Sequence, residues 1–112
     1  MTTKDFNKQV KEICTRWNFD FKPQYEGQIR YEGSTPFGTM QVISDPSPRR
    51  KLYTIYFKFI GDFDLTGFYD YFSKHENINK YSGKWNLHYI DAECILNELD
   101  ERLNNLDYIS KN

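Results

Sequence analysis

The residues of this 112-residue chain that could do chemistry are few: two cysteines, two histidines and some short charged clusters. Their spacing points away from catalysis. Cys14 and Cys94 stand 80 positions apart and form no zinc-type spacing with His75 or His88, which themselves lie 13 apart without an acid or nucleophile at a telling offset. Asp62-Phe63-Asp64 could ligate a divalent ion, but an acidic pair before an apolar helical stripe is ordinarily a helix cap. Ser82-Gly83-Lys84 lacks the glycine spacing of a phosphate loop and opens a strand, the wrong context for one. There is no Gly-x-Ser-x-Gly and no Cys/His nucleophile signature. The expectation is a protein that is not an enzyme, uses no cofactor and holds no metal. The two cysteines read as small buried hydrophobes on apolar helix faces, since a disulfide requires Cα atoms within about 7 Å and a permissive compartment.

The candidates that remain are binding groups, and the elements that carry them can be read from periodicity. Residues 5–17 form a helix, because Phe6, Val10, Ile13, Cys14 and Trp17 fall on one stripe of a 3.6-residue period, with Thr2 or Thr3 as its cap. Residues 18–24, with Pro23, read as a linker in which Phe19 and Phe21 alternate. From Tyr25 the period becomes two, and residues 25–32 form a first strand with Tyr25, Ile29 and Tyr31 on one face. A turn over 33–36 leads to a second strand over 37–44. The loop 45–50 follows, stiffened by Pro46 and Pro48. The third strand, 51–60, is the longest and is central. Its Tyr53, Ile55, Phe57 and Phe59 face one side, and Thr54, Tyr56, Lys58 and Ile60 the other.

Gly61 ends that strand, and Asp62 or Asp64 caps a short helix to about residue 74 carrying Leu65, Phe68 and Phe72. A polar loop over 75–83 precedes a fourth strand in which Trp85, Leu87 and Tyr89 alternate with Lys84, Asn86 and His88. Asp91 caps the last helix, whose stripe is Ala92, Ile95, Leu96, Leu99, Leu103 and Leu106, with Glu98 and Arg102 paired one turn apart. The order αβββαβα implies one α+β domain over residues 1–112: a four-stranded, mainly antiparallel sheet with its helices packed on one face.

Such a sheet turns its other face to solvent, and the alternation places Glu26, Gln28, Arg30, Thr54, Tyr56, Lys58, Lys84, Asn86 and His88 there. Arg30, Tyr56, Lys58, Lys84 and His88 are the expected partner-binding residues of that plate. Arg49, Arg50 and Lys51, the one basic triplet, join them from the tip of the proline-stiffened loop. The aromatic alternation of residues 51–59 resembles the aromatic strand of RNA-recognition domains, but the glycines of that motif are missing and the element order is not βαββαβ. A third surface is the last helix, where Asp91, Glu93, Glu98, Asp100, Glu101 and Asp107 outnumber Arg102 and could mimic a row of phosphates.

Composition narrows the partner class. Net charge is −1, so nothing draws the whole chain to nucleic acid, although residues 1–60 carry ten basic against six acidic groups and residues 61–112 five against ten. No run of 18 apolar residues and no hydrophobic leader is present, so no membrane role and a cytoplasmic location are expected. Phe, Tyr, Ile, Asn and Lys total 46 residues and Gly, Ala, Arg and Pro total 16, a usage that fits low-GC bacteria, their phages and plasmids. The leading expectation is a small interaction protein, an accessory or inhibitory factor of a phage or other mobile element. Its partner would be a host nucleic-acid-handling or defence protein. The alternatives are a nucleic-acid-binding domain using the plate and the Arg49-Arg50-Lys51 loop, and a homodimer or larger homo-oligomer in which surplus aromatics are buried. That surplus is mostly tyrosine: Tyr56, Tyr69, Tyr71, Tyr81 and Tyr108 have no obvious place on an apolar stripe, and some of them are expected to be exposed and grouped.

Overall fold

A computed structural model describes residues 1–25, 28–45, 53–64, 66–68, 84–89 and 91–111. Helix α1 (Thr3–Arg16) starts where Thr2 accepts the Asp5 backbone N–H on its Oγ1 at 3.1 Å, the expected cap. It ends in a Schellman turn. Asn18 takes the left-handed conformation (φ 66°), and the N–H groups of Asn18 and Phe19 donate back to the carbonyls of Thr15 and Cys14 at 3.1 and 2.8 Å.

That turn reverses the chain into β1 (Asp20–Tyr25), where the sequence had suggested a linker. Pro23 is tolerated because β1 is an edge strand and the proline sits in a bulge, between the pairs Lys22↔Arg30 and Tyr25↔Gln28. The four expected strands follow as β2 (Gln28–Thr35), β3 (Gly38–Asp45), β4 (Tyr53–Phe63) and β5 (Lys84–Tyr89). The sheet therefore has five strands in the order β1-β2-β3-β4-β5, every neighbouring pair antiparallel. The turn between β2 and β3 is tighter than expected. Thr35 Oγ1 accepts from the Phe37 N–H at 3.1 Å and donates to the Gly38 carbonyl at 2.7 Å.

Gly61 does not end β4. At φ +68° it occupies a left-handed position that glycine adopts without penalty, and the strand bulges there and resumes through Phe63, which pairs with Gly38. Asp64 then caps the next turn, accepting the Gly67 N–H at 2.9 Å, and residues 66–68 are helical. The rest of the helix expected there, to residue 74, lies outside the described residues. Asp91 caps α2 (Ala92–Lys111), accepting the Glu93 N–H at 2.8 Å.

Both helices cover one face of the sheet, and the alternation of the strands explains why. Tyr31, Val42, Phe57 and Trp85 share one register row, and Ile55 and Leu87 the next; all are buried against Phe6, Val10 and Cys14 of α1 and Ile95, Leu99 and Leu103 of α2. Each such side chain taken wholly from water contributes roughly 1.5–3 kcal/mol. Around Phe57 and Phe59 the core is aromatic: Trp85 stacks on Phe57 at 4.9 Å and lies 5.1 Å from Phe68, which meets Phe37 edge-on at 5.5 Å. The helices are also tied to each other. Asp100 of α2 accepts the Trp17 indole N–H at 2.7 Å and the Arg16 guanidinium at 3.1 Å.

Candidate docking surface on the outer sheet face

Register pairing assigns the outer face in rows. One row reads Lys22, Arg30, Ile43, Tyr56, Asn86 across the five strands, and the next reads Asp20, Glu32, Gln41, Lys58, Lys84. On the other side of the first row Asp45, Thr54 and His88 are paired. Arg30, Tyr56, Lys58, Lys84 and His88 thus occupy neighbouring positions on this face, as expected, with Arg30 and Tyr56 two strands and roughly 10 Å apart. For Lys84 and His88 the strand position is what the structure describes. Arg49, Arg50 and Lys51 lie outside the described residues, as do Tyr69, Tyr71 and Tyr81.

The face is less of an open plate than its alternation implied. Ile43, between Arg30 and Tyr56, is only 5% exposed, and Thr54 only 4%. Ile43 lies outside the helix-side core, so its burial belongs to this face. Arg30 and Tyr56 are themselves half-buried, while Lys58 stands in solvent. The β1 side of the face is mixed in charge. Glu32 accepts from Gln41 Nε2 at 3.2 Å and lies 3.9 Å from Lys22 Nζ, beside a shallow depression of about 430 Å³ lined by Asn18, Asp20, Lys22, Glu32 and Thr39. Sequence reasoning missed this side because Asp20 and Lys22 were assigned to a linker. The alternation of Phe19 and Phe21 with Asp20 and Lys22 was the available signal for a strand.

The acidic helix is more engaged than its composition suggested. Asp91 serves as a cap, Glu98 pairs with Arg102, and Asp100 holds Trp17 and Arg16, leaving Glu93 and Glu101 exposed. Among the described residues ionisation is clearly displaced at three groups. Burial pushes the Cys14 thiol up and, with Cys14 beside it, pushes Tyr31 up to about 12. Cys94, expected to be buried like Cys14, is exposed, because it falls off the stripe of Ala92, Ile95, Leu96 and Leu99, and the Asp91 carboxylate raises it. Cys14 and Tyr31 lie in the core and Cys94 on the surface of α2, so the three do not assemble into one site. Among the described residues no group of three or more His, Cys, Asp or Glu is placed to hold a metal ion, and no helix is long and apolar enough to cross a membrane.

Compared with known proteins, the chain matches no family model, no curated protein and no solved structure.

Proposed function

We propose that the chain is a small protein-interaction module without catalysis of its own, and that the outer sheet face is where a protein partner docks. One observation carries this reading: Arg30 and Tyr56 flank buried Ile43 in a single register row, with Lys58 and Lys84 paired in the next. Arginine and tyrosine dominate binding hot spots. Here both are half-buried, on β2 and β4 with β3 between them, so their ordering cost is met largely on folding and less of it falls on association. The partner such a surface suits is acidic opposite Lys58 and Lys84 and presents an apolar or amide group to Tyr56. A role as an accessory or inhibitor of a host nucleic-acid-handling or defence protein is consistent with that chemistry and with the residue usage.

The test is affinity capture from lysate of the cell that encodes the chain, with the wild type and an Arg30→Glu/Lys58→Glu variant as baits. A protein retained by the wild type and lost by the variant supports the reading. Equal retention by both baits, or none by either, overturns it. The register pairing of positions 58 and 84, both lysine, also gives nucleic acid a specific argument, since like charges at paired positions are relieved by a phosphate. Salt-sensitive binding of single-stranded DNA, weakened by Tyr56→Ala, would favour that second reading over the first.

A further inference from the structure

The free edge of β1 carries a pattern that the outer-face reading does not use. Strand β1 pairs with β2 on one side, and among the described residues no strand pairs with its other side. Phe21, in its middle, is 55% exposed, the one large apolar side chain besides Met1 that is exposed among the described residues, although it meets Tyr31 edge-on at 5.9 Å. On the outer face the two residues flanking Phe21 stand opposite like charges: Asp20 is registered with Glu32 and Lys22 with Arg30. Like charges directly opposite across strands are unfavourable. Lys22 also approaches Glu32 diagonally, at 3.9 Å.

We propose that the partner completing this edge is a second copy of the chain, its β1 running antiparallel to the first about a two-fold axis at Phe21. Asp20-Phe21-Lys22 is self-complementary under that operation. Phe21 meets Phe21, while Asp20 of each copy faces Lys22 of the other, so the row on each side of the axis reads Arg30, Lys22, then Asp20 and Glu32 of the second copy. Both like-charge pairs thereby gain an opposite charge on their open side, and the two exposed phenylalanines cover each other on the helix side. The pairing is isologous and closes at two copies. It is also short: the bulge at Pro23, with no N–H to offer, confines regular pairing to residues 20–22, so the association is weak and concentration-dependent.

Sedimentation equilibrium of the intact chain over a wide concentration range tests this. The wild type is expected to pass from monomer to dimer as concentration rises, and Phe21→Ser to remain monomeric. Asp20→Lys and Lys22→Asp, each turning two attractive contacts per dimer into repulsive ones, are expected to weaken self-association by about ten-fold or more. An equimolar mixture of the two should associate again, because each supplies the charges the other lacks. Asp20→Lys also removes the clash with Glu32, so its monomer should be at least as stable to urea as the wild type, which a merely structural loss would not produce. A wild type that is monomeric at every concentration, or a dimer indifferent to the charge swaps and to their mixing, overturns the proposal.

Discussion

The contact most open to quantitative test is the one joining the two helices. Asp100 accepts two hydrogen bonds, from the Trp17 indole at 2.7 Å and from Arg16 at 3.1 Å. The two are unequal. The Arg16 and Asp100 side chains are 57% and 40% exposed, so their ion pair is largely screened and contributes about 0.3 kcal/mol. The indole N–H is part-buried and bonds a carboxylate; such bonds contribute roughly 1.5–3 kcal/mol, and partial exposure puts this one at the low end. Asp100→Ala is therefore expected to cost about 1.5–2 kcal/mol. Asp100→Asn keeps an acceptor but no charge and should cost about half of that, and Arg16→Ala no more than about 0.5 kcal/mol. Urea unfolding followed by far-ultraviolet circular dichroism reads these directly, since with a slope of about 2 kcal/mol/M the Asp100→Ala midpoint falls by just under about 1 M. A double-mutant cycle of Asp100→Ala with Trp17→Phe should return a coupling of about 1 kcal/mol. If Arg16→Ala cost as much as Asp100→Ala, or the cycle returned zero, the indole bond would not be what ties the helices.

Three further outcomes follow from the geometry. Gly38→Ala should be far more damaging than Gly61→Ala. Gly38 combines φ +136° with the Asp62 carbonyl 2.9 Å from where a Cβ would stand, whereas Gly61 at φ +68° opens to free space and should lose only about 1–2 kcal/mol; thermal unfolding of both variants decides it. One thiol, Cys94, should react with an aromatic disulfide reagent in the native protein, slowly because Asp91 disfavours its thiolate, and buried Cys14 only after unfolding. Tyr31, raised from 10.0 to about 12, keeps its phenol proton in the fold after the unfolded chain has lost it. Its contribution to stability is complete below pH 10 and falls away between pH 10 and about 12. Urea midpoints across that window should show a fall that Tyr31→Phe reduces.

Periodicity makes most of this fold legible in the sequence. The stripe from Ala92 to Leu106 is buried as read, Thr2 and Asp91 cap the helices expected of them, and β4 divides its faces at Tyr53, Ile55, Phe57 and Phe59. What went unread turns on single backbone devices. Pro23 and Gly61 look like strand breakers, and both are accommodated by bulges whose existence depends on the neighbouring strand. The outer face was legible as a set of residues and not as an environment. Alternation places Tyr56 and Arg30 there, but the burial of Ile43 and Thr54 depends on tertiary surroundings that no local pattern encodes.

The sequential strand order has a kinetic consequence. Each strand of the sheet pairs with the strand next to it in sequence, so the sheet can grow by successive local closures, whereas the clasp at Asp100 joins residues 83 and 84 positions apart. Such a contact is expected to form late, after the rate-limiting barrier. Loosening it should leave the refolding rate nearly unchanged and place almost the whole effect in faster unfolding. The Trp17–Asp100 contact then works as a latch between the two helices, and loosening it is expected to shorten the lifetime of the native state more than it slows its formation.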